Sequence, residues 1–258
     1  MVFRNLILER EGTTAVVTLN RPERRNALSL EMLGELTACF RSIGEDTEAR
    51  VVILRANGAA FCAGHDLSEM VGRNEAFYRG LFEACTTLME TLQSIAQPVI
   101  AQVHGLATAA GCQLVASCDL TVASADARFA TPGVRIGLFC STPMVALSRA
   151  VGSRKAMEML LTGEAISADE ALAAGLVTRV VPTAELGPAT QALAAKIAAS
   201  SPLVVSIGKR AFYRQLQMPQ PLAYDYAQDV MSMNALAHDA QEGMGAFLEK
   251  RPPKWSGR

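Results

Sequence analysis

Aromatic side chains are scarce in this 258-residue chain: one Trp, four Tyr and nine Phe, together 5% of the residues. Half the residues are hydrophobic, so a sizeable core is available, but Ala, Val, Leu and Met must fill most of it. Charge of one sign is also lacking. The formal net charge is −1, which gives no global attraction to nucleic acid or to an anionic membrane. Basic residues cluster only locally, at Arg21, Arg24 and Arg25 and at Lys250 with Arg251. Three histidines, at 65, 104 and 238, are too few and too far apart for a His-rich metal site, and no metal is expected. The six cysteines (39, 62, 85, 112, 118 and 140) form no Cys-x-x-Cys pair, so they read as reduced, buried thiols rather than disulfides or zinc ligands. The start of the chain lacks the apolar stretch of a secretory leader, being broken by Arg4, Glu9, Arg10 and Glu11. The apolar segment from Pro98 to Cys118 is interrupted by Gln102, His104 and Gln113 and reads as strand, turn and helix rather than a membrane span. These features predict a soluble, cytoplasmic protein.

What is present has the rhythm of an α/β protein. Phe3 to Glu9 and Thr14 to Leu19 are β-rich and separated by Glu11-Gly12, a hairpin signal. Ser29 predicts the cap of a helix running to about Ile43, with Leu30, Leu33, Leu36 and Phe40 at helical spacing. Val51 to Leu54, Val99 to Val103 and Leu120 to Ala123 are short, continuously apolar runs, the pattern of strands buried on both faces of a parallel sheet. Asp66 with Glu69, and Ser167 with Glu170, have the spacing of capping boxes. From Thr183 the pattern is helical, at about 183–199, 203–217, 222–236 and 239–250, broken by Ser200-Ser201-Pro202. That break suggests an α/β core over residues 1–200 and a helical region over 201–258.

Two small-residue segments carry the chemistry: Ala63-Gly64-His65-Asp66-Leu67 and Ala107-Thr108-Ala109-Ala110-Gly111-Cys112-Gln113. Each is a strand-to-helix turn expected to offer backbone N–H groups at a helix start, and two such turns facing each other would cradle a negative oxygen. Both resemble the enoyl-CoA hydratase/isomerase (crotonase) superfamily. Further matching stretches in order are Thr18-Leu19-Asn20-Arg21-Pro22, Asn26-Ala27-Leu28, Val103-His104-Gly105, Phe129-Ala130-Thr131-Pro132, Ala173-Ala174-Gly175-Leu176-Val177 and Ala246 to Arg251. The runs Ala109 to Asp119 and Gly137 to Pro143 are most similar to its "enoyl-CoA hydratase domain-containing" branch.

The resemblance implies a crotonase-like spiral of ββα units with C-terminal helices that build homotrimers, often paired into homohexamers. It implies an acyl-CoA thioester as ligand, with coenzyme A part of the substrate and no separate cofactor. The backbone N–H groups of His65 and Ala110 would form the oxyanion hole. Ala63, Gly64, His65, Asp66 and Leu67 would meet the adenine and thioester, Arg25 and Ala27 would lie along the pantetheine and phosphates, and Lys250 of a neighbouring subunit would reach a phosphate.

The chain departs from the family's hydratases at both catalytic glutamates, whose positions hold Gln113 and Gly133. No Asp or Glu lies between Thr91 and Cys118 or between Ala127 and Met157. Glutamine cannot carry a proton at neutral pH, though it can orient water or a carbonyl. Ordinary hydration is therefore expected to be weak, and glutamates restored at 113 and 133 are expected to raise it, unless the backbone angle at Gly133 forbids a side chain. Gly64-His65-Asp66 is also similar to the methylmalonyl-CoA decarboxylase branch, whose tyrosine position holds Cys140 here. Decarboxylation, thioester hydrolysis and acyl-CoA binding without catalysis stand as alternatives. The His65 side chain either takes part or points away while only its backbone works. Cys112 and Cys140 lack a nearby base and read as packing residues.

Overall fold

A computed structural model describes residues 3–258. The edge strand β1 (Leu6–Glu11) and its neighbour β2 (Thr14–Leu19) form the hairpin, pairing antiparallel from Leu6 with Leu19 to Glu11 with Thr14. Gly12 adopts φ 62° in the turn, the left-handed region that glycine enters without a Cβ penalty. Parallel strands β3 (Val51–Ala56), β4 (Val99–Val103), β6 (Leu120–Ser124) and β9 (Arg179–Val181) complete a six-stranded sheet in the order β1-β2-β3-β4-β6-β9. A second, three-stranded sheet holds β5 (Leu106–Thr108), β7 (Arg128–Ala130) and β8 (Ile166–Ser167) in the order β5-β7-β8. The chain therefore passes from one sheet to the other and on to a helix: β4, β5, then α4 (Ala110–Ser117); β6, β7, then α5 (Pro143–Ala150). This is the repeating ββα pattern that the resemblance implied.

Both faces of the sheet are covered at its central strands, β2, β3, β4 and β6, which is why these run apolar with little alternation. Val17, Leu19, Val52, Leu54, Val99 and Ala101 face the main core with α1 (Leu30–Gly44) and α3 (Glu75–Ser94). Val16, Val51, Ile53, Ile100 and Val122 face α8 (Leu186–Ala198) through Leu186, Leu193 and Ala194. The Ser29 hydroxyl accepts from the Met32 N–H and caps α1. Ser167 and Glu170 close a reciprocal capping box on α7 (Ala168–Ala174). Asp66 caps the short α2 (Leu67–Met70), but the box expected there does not close. Glu69 instead accepts from the Leu30 N–H at 2.9 Å, which ties α2 to the start of α1.

The last helices are α9 (Pro202–Gln215), α10 (Gln220–Ala235) and α11 (His238–Leu248). Helix α9 is anchored to the sheet by a buried network. The Lys209 ammonium donates to the carbonyls of Leu92 and Gln97 and meets Asp119 at 2.8 Å, while the Tyr213 hydroxyl donates to the other Asp119 oxygen. Burial pulls the Lys209 pKa down, and the Asp119 charge works against that shift. Among the described residues no single helix is long and apolar enough to cross a membrane.

Candidate active site

The two small-residue turns meet. Gly64 has φ 90°, and a Cβ placed on it would lie 2.8 Å from the Ala109 Cβ and 3.1 Å from the Thr108 carbonyl oxygen. Only glycine allows this approach. Backbone hydrogen bonds lock the first turn to the preceding segment: Leu28 N–H donates to the Gly64 carbonyl, Asp66 N–H to the Leu28 carbonyl and Ala63 N–H to the Arg25 carbonyl. The second turn is held by Thr108 N–H on the Cys62 carbonyl and Ala109 N–H on the Ala130 carbonyl. Ala109 takes φ 51° and ψ −119° and turns the chain sharply into α4.

These bonds leave two donors over. The backbone N–H groups of His65 and Ala110 find no acceptor among the described residues. Ala110 is fully buried, where an unpaired N–H is rare and costly. Both residues line a cavity of about 490 Å³ whose wall includes Ala63, Leu67, Met70, Phe82, Thr108, Leu138, Phe139 and Cys140. The free Ala110 N–H stands in the first turn of α4, where the helix dipole favours negative charge.

The side chains around these donors are poor proton carriers. The His65 ring packs edge-on against Phe82 with centroids 5.7 Å apart. Both its nitrogens are buried without a partner, and burial pushes its pKa down to about 4, so the ring is neutral at pH 7. Three of the six orphaned buried side-chain atoms among the described residues belong to His65 and Thr108, which both line the cavity. Burial pushes the thiols of Cys62, Cys85 and Cys112 up to about 12 and raises that of Cys140. None is a ready nucleophile.

The structure changes the expectation at both glutamate positions. Gln113 does not line the cavity; its side chain is buried and its amide oxygen lies 3.8 Å from the Cys85 sulfur, so it is not placed to orient water or a carbonyl there. Gly133 does line the cavity, and the obstacle to a side chain is space rather than backbone angle. A Cβ at Gly133 would overlap the Leu138 carbonyl oxygen and lie 2.8 Å from the Cys140 sulfur. The Gly133 N–H donates to that sulfur at 3.3 Å, and its carbonyl accepts from the Leu138 N–H at 2.9 Å.

The remaining candidates are spread. Arg21, not Arg25, is tied into the site's frame, donating to the Ala27 carbonyl and to Asp66. Hydrogen bonding from Ser68, with Arg21 beside it, holds the Asp66 carboxyl below its ordinary range. Arg25 and Lys250 are exposed and line no part of the cavity. Met70 and Phe82 line the cavity and carry no motif that marks them as site residues. The spacing of Leu81, Cys85, Leu88 and Leu92 is the signal that could have placed α3, and with it Phe82.

A wound ββα spiral with two helix-start N–H donors at an apolar cavity defines the class, and comparison with known proteins agrees. Residues 9–258 match the model of the enoyl-CoA hydratase/isomerase family. The chain belongs to that family, the crotonase superfamily, within its enoyl-CoA hydratase domain-containing branch. It is 47% identical to enoyl-CoA hydratase domain-containing protein 3, mitochondrial, of Xenopus laevis, over 97% of this chain and 85% of that protein. It is 49% identical to the Homo sapiens protein of that name, over 93% and 80% of the two chains. A crystal structure of an enoyl-CoA hydratase from Mycobacterium smegmatis is 50% identical and superposes with a TM-score of 0.96, covering 98% of this chain and 99% of that one.

These names correct the cytoplasmic expectation: the frog, rat and human relatives are named mitochondrial, which points away from the cytoplasm. Near-neutral charge and reduced cysteines suit either compartment, so composition did not separate them.

Proposed function

We propose that the chain binds a fatty acyl-CoA thioester, with the thioester carbonyl oxygen on the N–H groups of His65 and Ala110, and stabilises the enolate that forms there. The observation that carries this reading is the pair of unpaired donors, from adjoining turns, at the head of one cavity. Backbone donors fixed by the fold need no reorganisation as charge develops on the oxygen. Ala63, Gly64, Asp66 and Leu67 meet the thioester and adenine through their backbone. Arg25 and Ala27 run beside the pantetheine and phosphates, and the exposed Lys250 reaches a phosphate from a neighbouring copy. Coenzyme A enters as part of the substrate. Residues 1–200 carry this site, and residues 201–258 serve assembly into a homotrimer or homohexamer.

Water addition is the weak part of this chemistry. The family's hydratases move protons with two glutamates, and here one position holds a buried amide and the other a glycine with no room. General acid–base groups contribute about 10²–10⁴-fold each, so crotonyl-CoA hydration is expected to be very slow. The test is calorimetry with a non-hydrolysable acyl-CoA, together with an assay of enoyl, malonyl-type and saturated thioesters for water addition, CO₂ loss and free thiol. Ala110→Pro is the informative variant. Proline is tolerated at the first position of a helix and has no N–H to give. Loss of one such donor is expected to cut any turnover by about 10²–10³-fold. Absence of binding to every thioester, or indifference to Ala110→Pro, refutes the reading.

A further inference from the structure

The thioester reading leaves the acyl group open, and the inference here rests on that reading. We propose that the cavity takes an uncharged acyl chain of medium or greater length, about eight carbons or more, and that the loop from Val134 to Cys140 sets this preference.

Three observations meet at this loop. First, the wall is apolar: Leu67, Met70 and Phe82 stand on one element group, Ile136, Leu138 and Phe139 on the other. No carboxylate is among the lining residues, the His65 ring is neutral, and the Nε of Arg135, the lining cation, is committed to the Thr162 carbonyl at 3.0 Å. A free carboxylate on the acyl group would leave water for a wall whose one cation, Arg135, is exposed and held only at its Nε, with no buried positive charge to receive it, a poor exchange for its hydration.

Second, Gly133 is a hub. The loop turns back so that the Leu138 N–H bonds to the Gly133 carbonyl and the Gly133 N–H to the Cys140 sulfur. That return fills the space just beyond the Gly133 Cα and carries Leu138 and Phe139 onto the cavity wall. The contact that excludes a side chain at 133 is thus the same one that supplies apolar surface.

Third, the loop's large apolar side chains lack cover: Ile136 is 61% exposed, Leu138 43% and Phe139 39%. A cavity of about 490 Å³ falls within the roughly 300–1,000 Å³ of small-molecule sites. An extended alkyl chain lying along it would bury these side chains as well as itself.

Each methylene moved from water into such a site strengthens binding by a factor of about four at most. Calorimetry on the full chain with CoA, butyryl-CoA, octanoyl-CoA and malonyl-CoA tests the proposal. Octanoyl-CoA is expected to bind at least tenfold tighter than butyryl-CoA, and malonyl-CoA no tighter than CoA. Leu138→Asp is expected to bring octanoyl-CoA down to the butyryl level, with Phe139→Ser as a second variant and circular dichroism to verify folding of both. Equal affinity for butyryl- and octanoyl-CoA overturns the chain-length inference and leaves the thioester site standing. Tightest binding of malonyl-CoA overturns it in favour of a charged acyl group. No binding of any thioester removes the site itself. A full octanoyl advantage in both folded variants moves the acyl chain away from this loop.

Discussion

At the scale of single residues, His65 presents a backbone N–H without an acceptor among the described residues, while its ring is a buried neutral group without a partner. The ring has an ordinary pKa near 6.5 when unfolded and about 4 when folded. Above pH 6.5 both states are neutral and the group adds no pH dependence. Between pH 6.5 and 4 the unfolded chain takes up a proton that the folded chain does not, so stability falls as pH falls, by up to ~3 kcal/mol. Thermal or urea unfolding across that window should show a steeper loss of stability with falling pH for the native chain than for His65→Leu. The glutamate positions carry the next prediction. Gly133→Glu should lower stability by more than about 1 kcal/mol through overpacking, and Gln113→Glu should do the same by burying a carboxylate beside Cys85. Neither should raise crotonyl-CoA hydration. A tenfold gain in hydration by the double variant, measured beside a urea titration, would show that the loop from Leu138 to Cys140 yields easily.

At the scale of elements, the turns before α2 and α4 act as one unit because Gly64 lets them touch. Gly64→Ala puts a methyl against Ala109 and Thr108 at a positive φ and should separate the two donors. Acyl-CoA binding should fall at least tenfold while the far-UV circular dichroism stays native. Helix α9 is a different case, bound to the sheet by polar contacts. Lys209→Met removes the cation from a buried site, leaving Asp119 with only the Tyr213 hydroxyl and the Val99 N–H, and the Leu92 and Gln97 carbonyls without their ammonium donor. Breaking a buried pair from one side costs about 3–5 kcal/mol, a loss that denaturant titration would register directly. The elements legible beforehand were those with a local signal: the hairpin with Gly12, α1 with its Ser29 cap, the apolar strands, and the helices after Thr183. Strands β5, β7 and β8 are only two or three residues long, too short for any period to show, and they form the second sheet on which the site is hung.

At the scale of the whole molecule, apolar surface collects on the C-terminal helices. Leu216, Leu222, Met231, Met233, Leu236 and Phe247 are all exposed in the single chain, Phe247 at 82%. Uncovered apolar surface gathered on one region is what supports the proposed assembly. Sedimentation at micromolar concentration should give a trimer or a hexamer, and Met231→Glu with Leu236→Glu should shift it toward monomer. A stable native monomer would contradict both the assembly and a phosphate contact from a neighbour's Lys250.

The sequence by itself determined the family, the longer strands and helices, the two glycine-containing turns and the identities of residues 113 and 133, Gln and Gly. Those are local facts, carried by residue type and spacing along the chain. Only the tertiary structure decided where those two residues stand. It turned Gln113 away from the cavity toward Cys85, from another helix, and set the Leu138 carbonyl where a side chain at 133 would stand. It also brought Phe82 and the loop from Val134 to Cys140 to opposite sides of one apolar space. Those outcomes depend on contacts between segments 28 residues apart or more, or on the return of a loop upon itself, and neither leaves a period or a motif to read.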